Sequence, residues 1–275
     1  MSADIVVPAI LFLCMVILHI LRLKKLDPLA EFSGDEYELG AASTLGNRTI
    51  QQDYFGVKNN NGVLLMLLAD GIRDNGEIAA KLAVDTFRDL FDDSNAIFKP
   101  QYFFKRAANA TQKKINNTLE ERQGETSLAA VMVKGNQLFY SLIGNCRITV
   151  FRNGDLIPVS EGQTLDVLAK HRYEEGRISK QETLALLDRH RRYNVLGQDS
   201  FQDIELFSKP LLLKKNDMIV LMSEGVFNTL RWVEIEEVLS QNNSVQTLAN
   251  EVIQLVNNSP MVDKDNASIL ICRRK

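Results

Sequence analysis

At 275 residues the chain has room for one large domain with a substantial core, or two small ones. Its 45% hydrophobic and 24% charged residues are ordinary for a globular protein. The formal net charge of -3, with basic residues spread along the chain rather than interleaved with aromatics, argues against nucleic acid as a partner.

Residues 1–4 carry Asp4 and no Lys or Arg, and Ile5 to Leu23 is then almost entirely apolar, Pro8 and His19 being its main irregularities. About 20 such residues cross the hydrocarbon core of a bilayer. Arg22, Lys24 and Lys25 flank the C-terminal end of the run, which places that side in the cytoplasm. A cleaved signal peptide would need a basic leader and a small-residue cleavage site, and Leu23-Lys24-Lys25-Leu26-Asp27-Pro28 offers neither. The expectation is an extracytoplasmic residue 1–4 stub, a transmembrane helix over 5–23, a juxtamembrane linker over 24–39 and one cytoplasmic domain over 40–275. Cys14 falls in the expected anchor. Cys146 and Cys272 lie far apart in strand-like runs, without the paired spacing of a zinc site or a disulfide framework. Cys146 reads as a buried, inert thiol.

Past the linker, Tyr54 to Val57 and Val63 to Leu68 flank an Asn59-Asn60-Asn61-Gly62 turn and predict a β-hairpin. Glu77 to Phe91 and Tyr102 to Leu119 have apolar residues at helical spacing. Ser127 to Val133, Gln137 to Ile143 and Arg147 to Phe151 are apolar strands, and Asn153-Gly154 is a further hairpin signal. Ser179-Lys180-Gln181-Glu182 has capping-box spacing and predicts a polar helix to about His190. Phe207 to Leu213 and Met218 to Met222 predict strands, Ser244 to Val256 an amphipathic helix, and Ala267 to Cys272 the closing strand. Strand groups set against helix pairs, rather than strict βαβ units, indicate an α+β fold of antiparallel sheets layered with helices.

Four carboxylates stand beside these apolar runs: Asp53, Asp70, Glu224 and Asp265. Acids far apart in sequence but each at a strand end can meet at one edge of a sheet, and several hard oxygen ligands together are what Mg2+ or Mn2+ requires. Taken singly, Asp70-Gly71, Glu224-Gly225 and Asp265-Asn266 could each be an ordinary turn. Their order along the chain says more. Arg48 through Gln52-Asp53, Asp70-Gly71, Gly76-Glu77, Gly124-Glu125-Thr126-Ser127, Gly144-Asn145-Cys146-Arg147, Val195-Leu196-Gly197, Ser223-Glu224-Gly225 and Asp265-Asn266 follow one another as the motifs of a known family do. From about residue 40 onward the chain resembles the metal-dependent PPM (type 2C) serine/threonine protein phosphatases of bacterial type.

That resemblance implies a sandwich of two antiparallel β-sheets flanked by helix pairs (αββα), here preceded by one transmembrane helix, with a flap-like insertion at about 162–197. It implies two Mg2+ or Mn2+ ions that bridge a water and offer a hydroxide for in-line attack on phosphorus. Asp70, the carbonyl of Gly71, Glu224 and Asp265 would be metal ligands, Asp53 would support ligands or bound water, and Arg48 would hold the phosphate. Phosphorylated proteins would be the substrates and a cognate serine/threonine kinase the opposing partner. Two positions depart from the family pattern. Asn145 stands where the family has an aspartate at an accessory metal position, and Glu224 replaces an aspartate with a side chain one methylene longer. Arg73 and Asp74 also follow Asp70-Gly71, where small residues are usual. A membrane-anchored phosphatase is therefore expected, the alternative being a weak or inactive pseudophosphatase that binds phosphoproteins as a scaffold.

Overall fold

Val63-Leu64-Leu65-Met66-Leu67-Leu68 is apolar at every position because both faces of this strand are covered. In the computed structural model, which describes Leu29 and residues 36–92, 97–120, 123–186 and 191–275, β3 (Val63–Ile72) lies between β2 (Asp53–Asn60) and β4 (Glu125–Lys134). Val63, Leu65, Leu67 and Ala69 pack against α1 (Gly76–Leu90) and α2 (Pro100–Leu119). Leu64, Met66 and Leu68 point the other way, into a second sheet. The strict alternation of a strand thus serves two cores at once.

The first sheet continues from β4 to β5 (Gln137–Ile143), which also pairs with the short β8 (Glu205–Leu206) and β9 (Leu211–Leu212). The second has the order β1 (Tyr37–Thr44), β11 (Ala267–Arg274), β10 (Met218–Met222), β6 (Arg147–Arg152) and β7 (Asp155–Pro158). Strands pair antiparallel in both sheets. Ile219, Leu221, Leu270 and Cys272 face the first sheet. Val220, Met222, Ile269 and Ile271 face α6 (Trp232–Leu239) and α7 (Val245–Asn258), which follow the short α5 (Glu224–Thr229). The layers run helix, sheet, sheet, helix, as the sequence led one to expect.

Both predicted hairpin turns form at Asn-Gly pairs. Asn61 and Gly62 have φ of 52° and 76°, and Asn153 and Gly154 have 57° and 95°, the positive pair that a tight two-residue hairpin needs. The run from Phe207 to Leu213 differs from expectation: it is not one strand. Pro210 cannot donate to a ladder, and Phe207 turns into the helical layer, its ring centroid 5.2 Å from that of Phe139. Past residue 160 the chain forms α3 (Leu165–Glu174) and α4 (Lys180–Leu184). The capping box at Ser179 forms, with Ser179 Oγ accepting from the Glu182 amide at 3.2 Å and Glu182 Oε2 accepting from the Ser179 amide at 2.8 Å. The helix ends at Leu184, short of its expected reach; His190 lies outside the described residues. So does the span expected over 5–23, and among the described residues no helix is long and apolar enough to cross a membrane.

Phe104 is fully buried between Phe103 and Phe207 at the centre of the helical layer. Phe104→Ala should cost about 3–5 kcal/mol, read as a lower urea midpoint at unchanged slope.

Candidate functional site

The register of the first hairpin places Asp53 directly opposite Asp70. Both side chains are buried, so two acids face one another across adjacent strands with little water to separate their charges. Burial first, and then the negative charge of Asp70, push the Asp53 carboxyl above its ordinary range, although Ser223 Oγ donates to Asp53 Oδ2 at 2.7 Å. The Asp70 carboxyl is also raised by burial, opposed by the Arg192 guanidinium and by the Glu224 amide, which donates to Asp70 Oδ2 at 3.0 Å.

Two glycines let the backbone close around this pair. A Cβ on Gly71 would stand 2.4 Å from the Gly76 carbonyl oxygen and 2.5 Å from that of Gln52. One on Gly225 would stand 2.0 Å from the carbonyl oxygen of Asn266. Gly225 thereby seats the first turn of α5 on the chain leading into β11, which carries the Glu224 amide to Asp70. Asn266 ties the third edge together: its side chain accepts from the Gln52 amide at 2.9 Å and donates to the Leu45 carbonyl at 2.9 Å. Ser223, between Asp53 and the Ser268 amide, and Asn266 are support residues that the sequence reading named within motifs but gave no role.

The remaining predicted residues are turned toward arginines. Asp265 is exposed and pairs with Arg48 at 3.0 Å; Arg48 also reaches Asp263 at 3.1 Å. Glu224 does not direct its carboxylate at Asp70. Its longer side chain pairs with Arg192, and its other oxygen accepts from Asn228 at 3.0 Å. The same nitrogen of Arg192 lies 3.5 Å from Asp70 Oδ2. Burial opposes the Arg192 charge, but Asp70 and Glu224 outweigh it and push its pKa above the ordinary arginine value. Arg192 is thus a site residue that sequence reasoning missed. Asn145 is buried, and its side-chain oxygen accepts from Arg147 at 3.0 Å.

A cavity of about 500 Å3 adjoins the carboxylates, lined in part by Arg73, Glu125, Arg191, Arg192 and Glu224. Arg73 has φ of 69°, unusual for a side chain of this size. The conformation is pinned by Gln52, whose side-chain Nε2 donates to the Arg73 carbonyl at 2.7 Å, and by an ion pair with Glu125 at 2.9 Å. Cys146 is buried beneath the site, and burial followed by the charges of Asp70 and Asp53 raises its thiol, consistent with an inert role.

Among the described residues no three His, Cys, Asp or Glu side chains are grouped to hold a metal ion. The donors nevertheless suit a hard divalent cation: all are oxygens, and the facing Asp53 and Asp70 carboxyls carry a repulsion that a cation relieves.

Residues 42–259 match the family model described as protein phosphatase 2C. The chain belongs to the protein phosphatase 2C family. The serine/threonine phosphatase stp of Listeria welshimeri is 24% identical over 231 residues, covering 79% of this chain and 87% of that protein. Protein phosphatase PhpP of Streptococcus pneumoniae is 22% identical over 233 residues, covering 81% and 92%. The solved structure of the S. agalactiae serine/threonine phosphatase superposes with a TM-score of 0.75 at 20% identity, over 87% of this chain and all of that one. Stp1 of Staphylococcus aureus gives 0.72 at 20% identity, over 88% and 96%. The two-sheet architecture expected from sequence is therefore that of the family.

The raised Asp53 carboxyl sets a pH dependence. Above the ordinary value of 3.8 the unfolded chain has released this proton while the folded chain still holds it. Folding then takes up a proton, so stability falls as pH rises through that interval. In chelator, the thermal midpoint of the metal-free protein should drop between about pH 5 and about pH 8, and Asp53→Asn should flatten that slope. Thermal melts at several pH values check both.

Proposed function

We propose that the chain is a metal-dependent phosphoprotein phosphatase that hydrolyses phosphoserine and phosphothreonine monoesters on the cytoplasmic face of a membrane. The observation that carries this reading is the buried Asp53–Asp70 pair, capped by the Glu224 amide within a protein phosphatase 2C fold. Its relatives are named as a serine/threonine phosphatase and a protein phosphatase, and the chain covers most of their length, which favours catalysis over a scaffold role.

In this reading Asp70, the Gly71 carbonyl, Glu224 and Asp265 hold two Mg2+ or Mn2+ ions. Such ions, when bound, supply Lewis acidity and lower the pKa of water. The chain's own groups do the rest. Asp53, fixed by Ser223 and facing Asp70, steadies the ligand it opposes. Arg48 stands on the exposed rim with a planar guanidinium that suits two phosphate oxygens at once. The asparagine at 145 keeps an oxygen at the accessory position but carries no charge.

In this reading residues 5–23 would anchor the domain and the stretch after them would tether it, within tens of ångströms of the bilayer at ~3.3–3.6 Å per residue. The tether ends before the expected residue 39, because Tyr37 already opens β1 and Leu39 is buried in the core. Substrates are then phosphoproteins at or near that membrane, modified by a serine/threonine kinase working on the same face. Nucleic acid has no part in this reading.

The full chain, purified in mild detergent, should hydrolyse p-nitrophenyl phosphate and a phosphothreonine peptide with Mn2+ and fall silent with chelator. Asp70→Asn should lower kcat on the order of a hundredfold or more while leaving the thermal melt cooperative; retained turnover would mean that the site lies elsewhere. A wild type that is silent and shows no Mn2+-dependent thermal shift would leave the scaffold reading in its place. For the anchor, the full chain should remain in the membrane pellet after alkaline carbonate extraction, and a chain lacking residues 1–25 should not.

A further inference from the structure

Arg192 belongs to a segment tied down on both sides. Its upstream neighbour pairs through Leu165, whose amide donates to the Arg191 carbonyl at 2.9 Å, and Thr164 bridges Arg192 itself. Gln163 in turn exchanges hydrogen bonds with Gly144, its amide donating at 2.8 Å and its side chain accepting at 3.0 Å. Downstream, Leu196 bridges Thr126 on β4, whose hydroxyl donates to the Asp70 carbonyl at 3.0 Å. The insertion therefore delivers one guanidinium to the carboxylates and is fastened near them at each end.

That guanidinium holds two residues that would ligate metal, Glu224 and Asp70. It is mostly buried, and among the described residues its Nε has no hydrogen-bond partner. Among the described residues the fork is engaged through a single nitrogen, with another donor left unmatched, which is poor satisfaction for a permanent structural element. The reach depends on the methylene that Glu224 has beyond an aspartate, which carries its carboxylate out to the insertion. A divalent cation on Asp70 and Glu224 would meet the positive charge already resting on both, and like charges so close repel.

We propose that Arg192 is a built-in counter-cation for the Asp70–Glu224 pair, displaced when Mg2+ or Mn2+ binds, so that metal loading and release of the 162–197 insertion are coupled. This rests on the reading of Asp70 and Glu224 as metal ligands. Coupling is reciprocal: removing the guanidinium tightens metal binding, and metal binding loosens the insertion.

The test measures Mn2+ affinity of the full chain by competition with a fluorescent chelator, in wild type, Arg192→Gln and Arg192→Lys. It also follows tryptic cleavage after Lys170, Arg172, Arg177 and Lys180 with and without Mn2+. Arg192→Gln should bind Mn2+ on the order of tenfold more tightly, and Arg192→Lys, which keeps the charge, should stay near wild type. Mn2+ should speed cleavage of the wild-type insertion, and in Arg192→Gln cleavage should be fast with or without it. The proposal is overturned by an Arg192→Gln affinity within about threefold of wild type, by an equal gain in Arg192→Lys, or by cleavage indifferent to Mn2+. Loss of Mn2+ binding in wild type and Arg192→Gln alike would overturn the metal-ligand reading together with the proposal, whereas Mn2+ binding with none of the expected changes overturns the proposal alone.

Discussion

Two carboxyl groups facing each other across adjacent strands, both out of water, set the terms for everything around them. An antiparallel pair fixes Asp53 against Asp70 as firmly as it fixes the apolar residues behind them, so the repulsion cannot be relieved by turning one strand. The fold instead surrounds the pair with donors. Ser223 supplies a hydroxyl, Glu224 its amide and Arg192 a full positive charge. Ser223 and Glu224 are consecutive just past the end of β10 while Arg192 comes from the insertion, and the close packing at Gly71 and Gly225 is what lets them approach.

Much of this was legible beforehand because the relevant patterns are local. A strand apolar on both faces, Asn-Gly turns and a capping box each betray their conformation over a few residues, and Asp53 and Asp70 sit at the edges of such segments. Arg192 was not legible in the same way. It lies in a run of Lys, Arg and Glu whose periodicity is that of a solvated surface, and nothing nearby marks one arginine as buried. Its role comes from two long-range bridges, Thr164 with Arg192 and Thr126 with Leu196, which no local pattern encodes. Phe207 to Leu213 misled for a related reason: the apolar residues read as one strand, but Pro210 and the aromatic packing of Phe207 split it.

Glu224 divides its contacts between two parts of the site: its backbone amide donates to Asp70, and its carboxylate pairs with Arg192 on the insertion. Arg48 and Asp265 make a second acid–guanidinium pair on the outer rim, where Arg48 also engages Asp263. In both places an acid and a guanidinium neutralise each other, while burial beside Asp70 keeps the Asp53 carboxyl raised above its ordinary range. The electrostatic tension is thus concentrated on the two aspartates of one hairpin.

β11 lies inside its sheet, between β1 and β10, although β1 opens the domain and β11 closes it. Until β11 docks, β1 has no strand partner and β10 has one edge bare. Asp265 and Asn266 immediately precede that strand, and Asn266 reaches back to Gln52 beside Asp53. During synthesis the first hairpin can form early, with its two acids already opposed, but the groups that complete their surroundings emerge last. A chain halted before β11 would therefore carry an unfinished sheet and an unfinished site together, so that any activity of this domain is also a report that translation reached β11.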